Sequence, residues 1–151
     1  MHHRTSITRS STFRILSIHI ETVIPIQHRA NIYELWREDE ILKQRCEFIS
    51  SHYQRYIDFP TEENYFISLV ADYLLESVLF YNGFMFFYTL ASRMLMPGTS
   101  DIIRMINRDE LAHIRLYQKL IPEAMLYFRF DEDDIYQMFA TASNNEIKWN
   151  N

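Results

Sequence analysis

Residues 61–94, TEENYFISLVADYLLESVLFYNGFMFFYTLASRM, run without a proline and with one glycine. A stretch of this length, with apolar side chains recurring at helical spacing, is predicted as one unusually long helix. Thr61 is placed to cap it, Glu62 and Glu63 lie in the first turn where the helix dipole favours negative charge, and Pro97 with Gly98 stops it. The rest of the chain is equally poor in turn residues. With 2 Gly and 4 Pro in 151 residues, few long helices are expected rather than a meander of short strands, so the fold class is all-α. A hydrophobic share of 48% excludes disorder and gives one bulky core.

Five or six helices are predicted. Pro25 ends a weak first one; HRANIYELWRED begins a short amphipathic helix running into DEILKQRCEFISSHYQRYID, with Phe59 and Pro60 as the break. Thr99 or Ser100 is expected to cap SDIIRMINRDELAHIRLYQKLI, and Asp131 to open the last helix. The most membrane-like segment, Val78 to Ala91, is shorter than the ~20 apolar residues a bilayer needs. Asp72, Glu76 and Arg93 flank it, so it is read as a buried core helix and no membrane is expected. A net charge of -5 gives no electrostatic footprint for nucleic acid, and none is expected as a partner. The single Cys46 cannot form an internal disulfide, which fits a reducing cytoplasm. The first twenty residues carry Arg4, Arg9 and Arg14 and no acid, a composition shared with mitochondrial transit peptides but common in so short a stretch.

Within RDELAHIRLY, Glu110 and His113 stand three residues apart and share a helix face with Ile103, Ile106, Ile114, Tyr117 and Leu120, while Arg104, Arg108, Arg115 and Lys119 fall away from it. With 20 acidic residues and 6 His in 151 positions, about 0.8 such pairs arise by chance, so the pair alone is better explained by His113 bonding a backbone carbonyl. Glu76 changes that balance. It shares its face with Leu69, Tyr73, Phe80, Gly83, Phe84 and Phe87, a second carboxylate among apolar groups. Buried carboxylates cost several kcal/mol or take up a proton unless they are compensated. The plainer alternative pairs Glu76 with an Arg; two carboxylates and one imidazole on facing helices ask for a cation, and iron or manganese suits that donor set.

These residues are familiar as a group. YLLESVLFYNGFMFFYTLASRMLMPGTSDIIRMINRDELAHIRLYQ, residues 73–118, closely resembles the small (beta) subunit of class I ribonucleotide reductase, and the resemblance extends from about Val23 to the end. It implies a ferritin-like helical bundle holding two metal ions, iron or manganese, that with oxygen generate the radical used by the large (alpha) subunit. That oxidoreductase reaction reduces ribonucleoside diphosphates to the deoxyribonucleotides of DNA replication. By resemblance, Glu76, Glu110 and His113 are metal ligands; Phe80, Phe84 and Ile106 form the apolar pocket beside the metals; and Asp109 is an outer carboxylate that orients a ligand His. A homodimer and a cytoplasmic location are implied as well.

The sequence also departs from the family's pattern. Where the first Glu-x-x-His is expected stand Arg9 and Thr12, and Leu16 occupies the place of the radical Tyr. Three of six ligands are thus not found, nor is the tail that docks on the large subunit. The expectation is a bundle truncated at both ends, with residues 1–22 as a stretch without clear match and 23–151 as a partial small-subunit domain. As an isolated chain it is expected to be inactive. The rival readings are a non-enzymatic helical fragment acting as an interaction module, and another ferritin-like carboxylate metalloprotein such as a desaturase or iron store.

Overall fold

A computed structural model describes residues 21, 22 and 24–150, apart from the Trp36 side chain. The placements of Arg9, Thr12 and Leu16, and the transit-like stretch, lie outside the described residues. Six α-helical segments and one π turn make up the described fold: α1 (Ile26–Glu38), α2 (Glu40–Asp58), α3 (Glu62–Leu74), the π turn (Leu75–Leu79), α4 (Phe80–Ser92), α5 (Pro97–Ala124) and α6 (Glu132–Trp149). The chain divides into two compact units after Asp39. In the first, α1 follows Pro25, and Arg29 Nε donates to the Ile24 carbonyl at 2.9 Å.

In the second unit the long helix forms as expected, from Glu62 to Ser92, with Thr61 accepting from the Asn64 amide at 3.2 Å. A π turn interrupts its regular spacing, which no residue pattern announced. Its widened step is held by Arg45, whose Nη2 donates to the Leu79 carbonyl at 3.0 Å. Asp131 caps α6 through the Asp133 amide, also as expected. The α5 helix differs from expectation at both ends. It begins at Pro97, after Met96 in the left-handed region (φ 50°), and no side chain caps it. Proline suits a first helical position, because its missing N–H would have had no helical partner and its φ is preset. At the other end α5 continues through Pro122 to Ala124.

The core joins α2, α3, the π turn and α6 through Ile49, Phe66, Val70, Leu74, Leu79, Met138 and Ala142. The expectation of a buried helix over residues 78–91 is corrected here. Leu79 is buried, yet α4 contains no buried residue, and Phe86 is 62% exposed. Besides the π turn, α5 is the main partner of α4, so the helix richest in aromatics keeps much of its surface open. Glu62–Ser92 is long and apolar enough to cross a membrane, with 22% of its most apolar window buried.

Candidate metal centre

The α3–π–α4 rod and α5 run antiparallel. Asp72 meets Tyr117, Glu76 meets His113, and Tyr88 meets Asn107, so numbers rise along one helix as they fall along the other. The short connection from Arg93 to Met96 enforces this return, with Met94 and Met96 at positive φ. At the middle of the seam, donor atoms of Glu76, Glu110 and His113 all lie within 4.8 Å of one another. His113 Nδ1 is 2.7 Å from Glu110 Oε2 and 3.7 Å from Glu76 Oε1. Glu76 is 3% exposed and Glu110 8%, while His113 is half-buried.

Each position has a local cause. The i, i+3 spacing puts Glu110 and His113 on one side of α5, above buried Ile103 and Ile106. Glu76 projects from the π turn, a distortion that often accompanies functional sites because it re-aims side chains that a regular α-helix would point elsewhere.

The other expected residues are placed as follows. Ile106 is buried beside the ligand face; Phe80 and Phe84 touch with ring centroids 6.3 Å apart, and Phe80 is exposed. Asp109 lies at the surface, 3.3 Å from Arg108 Nη2. One feature of the seam went unread in the sequence. The Tyr117 hydroxyl donates to Asp72 Oδ2 at 2.8 Å, and the Tyr53 hydroxyl donates to Asp72 Oδ1, which ties α2, α3 and α5 together one turn from the cluster. Asp72 stands four residues before Glu76, so its face was legible, but its two phenol partners come from distant helices. Beyond Tyr117, α3, α5 and α6 enclose a largely apolar cleft of about 730 Å³ lined by Phe66, Tyr73, Ile121, Phe130 and Phe139.

An all-α bundle with paired carboxylates and an imidazole at an antiparallel seam defines the class of ferritin-like helical proteins. The comparisons are more specific. The family model "Ribonucleotide reductase, small chain" matches residues 14–151, and the chain belongs to that family. It is 38% identical over 109 residues to the ribonucleoside-diphosphate reductase subunit beta of Halalkalibacterium halodurans, covering 72% of this chain and 32% of that protein. It is also 38% identical over 131 residues to the subunit beta of Aquifex aeolicus, covering 86% and 19%. Two solved structures share the fold over 88% of this chain. One, described as a class I ribonucleotide reductase from Bacillus halodurans, has a TM-score of 0.81, 34% identity and 49% of its own length covered. The other, the R2 subunit from Clostridium botulinum, has a TM-score of 0.79, 37% identity and 44% covered. The chain therefore spans less than half the length of these relatives.

Proposed function

We propose that the chain is the metal-holding region of a ribonucleotide reductase small subunit, with Glu76, Glu110 and His113 as ligands to iron or manganese. The observation that carries this reading is the convergence of two buried carboxylates and one imidazole, each from an apolar helix face. The donor set fits the group. Carboxylate oxygens with a single imidazole suit iron and manganese, and a divalent cation offsets two negative charges that burial would otherwise penalise. His113 Nδ1 is the donor atom that already faces both carboxylates. On this reading buried Ile106, with Phe80 and Phe84, belongs to the apolar side of the centre, and Asp109, at the surface beside Arg108, is its outer carboxylate.

When bound, the dinuclear metal supplies the one-electron oxidising power with which this family starts the reduction of ribonucleoside diphosphates to deoxyribonucleotides. The protein partner under this reading is the large alpha subunit; the family homodimer and a cytoplasmic location go with it, and neither a membrane nor nucleic acid has a role. Three ligands hold mainly one ion, so the isolated chain does not by itself support nucleotide reduction. The test is titration of purified chain with ferrous iron or manganese, beside an assay of nucleotide reduction with a large subunit. Saturable uptake lost in His113→Ala, with no reduction, agrees with the proposal; absence of uptake, or reduction at the rate of a complete small subunit, contradicts it.

A second reading draws on one observation: α4 is rich in aromatics and buries no residue. A non-enzymatic helical module would present that face to a partner, and folded protein without any metal uptake would favour it.

A further inference from the structure

We propose that a cleft at the turn between α4 and α5 binds a phosphate group, free or carried by a small phosphomonoester, through the hydroxyls of Ser100 and Tyr88 and the guanidinium of Arg104. The cleft, of about 440 Å³, is lined by Tyr88, Ala91, Ser92, Ser100 and Arg104. That volume is in the range of small-molecule sites. Glu110 lies further along α5 by ~15 Å of helical rise from Ser100, so this site is separate from the metal centre and does not rest on it.

The polar groups of the cleft are donors short of acceptors. Ser100 is 2% exposed, and its Oγ has no hydrogen-bond partner among the described residues. A hydroxyl buried in this way gives up the bonds it makes in water and calls for a partner. Asn107 Nδ2 donates to the Tyr88 hydroxyl at 2.9 Å, which leaves the phenol proton to donate elsewhere. Ser92, by contrast, donates its proton to the Thr89 carbonyl at 2.8 Å. Arg104 pairs with Asp101 Oδ1 at 3.3 Å through one nitrogen, and the rest of its fork is available.

The backbone adds the same sign. No side chain caps α5, so the positive end of a 28-residue helix, with its first amides, lies in the same turn as Ser100. Beside Gly98 there is open space, since a Cβ there would meet nothing within 4 Å. The carbonyls that end α4 are engaged by the turn itself: Leu90 accepts from the Arg93 and Leu95 amides, and Ala91 from Met94. Asp101 is the opposing charge, exposed to solvent and already paired with Arg104. Unmatched donors beside a positive helix end select a ligand built of acceptors with negative charge, which is the chemistry of a phosphate.

The test is calorimetric titration of the full, chelator-treated chain with inorganic phosphate and with glycerol 3-phosphate. It is run on the wild type, Ser100→Ala, Tyr88→Phe, Arg104→Gln and Arg115→Gln, an exposed arginine elsewhere on α5, with helicity checked by circular dichroism. The expected result is saturable binding by the wild type, roughly tenfold weaker in each of the first three variants and unchanged in Arg115→Gln. Ser100→Ala deletes a buried hydroxyl that has no partner, so without phosphate it should melt no lower than the wild type, which separates loss of binding from loss of fold. Tighter binding of glycerol 3-phosphate than of phosphate identifies a phosphomonoester as the ligand; equal or weaker binding identifies the free ion, and both agree with the site. Absence of saturable binding overturns it. Unchanged affinity in Ser100→Ala, or equal weakening in Arg104→Gln and Arg115→Gln, which diffuse charge alone would give, overturns it as well.

Discussion

Glu76 and His113 come from opposite sides of a helical seam, and their carboxylate and imidazole approach to 3.7 Å, Oε1 to Nδ1. Glu110 is closer still to the same nitrogen, so one half-buried imidazole serves two buried carboxylates. Burial takes hydration away from both carboxylates, and a bound cation would offset that cost. Glu76→Gln is therefore expected to stabilise the metal-free chain by about 1 kcal/mol while weakening metal uptake, the exchange of stability for function common at active sites. Thermal unfolding with chelator and with manganese measures both; a metal-free variant less stable than the wild type would contradict the account.

A second buried charge has the opposite balance. Arg45 Nε and Glu146 Oε1 are 2.7 Å apart with side chains only 13% and 9% exposed, and Asn82 donates to the other carboxylate oxygen at 2.6 Å. Arg45 also lies over the Trp149 ring and holds the Leu79 carbonyl of the π turn. Removing one partner strands the other, so Arg45→Met is expected to cost about 3–5 kcal/mol in urea unfolding. The double variant Arg45→Met with Glu146→Leu should cost clearly less than the sum of the two single changes.

The hydroxyl of Tyr117 is tied to Asp72 at 2.8 Å. Tyr117→Phe removes one donor to a carboxylate and should destabilise the chain by roughly 1–2 kcal/mol. Combined with Tyr53→Phe, which removes the other phenol, the effect should be non-additive because the two share one acceptor.

His52 sets a pH dependence away from the metal site. Burial holds its pKa below the ordinary value of 6.5, Arg55 lowers it further and Asp134 opposes the shift. The unfolded chain then binds the proton more readily than the folded one, so stability falls as pH drops below about 6.5 toward the lowered folded value. His52→Gln should flatten the melting temperature over that window, and an unchanged slope between wild type and variant would count against this assignment.

Much of this was legible because helical spacing is a direct consequence of backbone geometry. Glu110 and His113 could be put on one face from their spacing, Glu76 on an apolar face from Leu69 to Phe87, and the caps Thr61 and Asp131 from their residue types and positions. What was not legible depends on contacts between distant segments. The π turn around Glu76 is held by Arg45 from another helix, and no period in residues 61–94 encodes it. The exposure of α4 was misread because an apolar stretch announces that it needs cover without saying what covers it. The start of α5 at Pro97 was placed late because proline both ends and begins helices, and only the left-handed Met96 before it decides which.

The central claim is that Glu76, Glu110 and His113 hold a metal ion, and the most direct measurement is calorimetric titration of the chelator-treated chain with ferrous iron under anaerobic conditions, repeated for His113→Ala. The account predicts saturable binding at one ion per chain in the wild type and at least a tenfold loss of affinity in the variant, about 1.4 kcal/mol. Wild type that takes up no iron, or a variant that binds as tightly as the wild type, would contradict it.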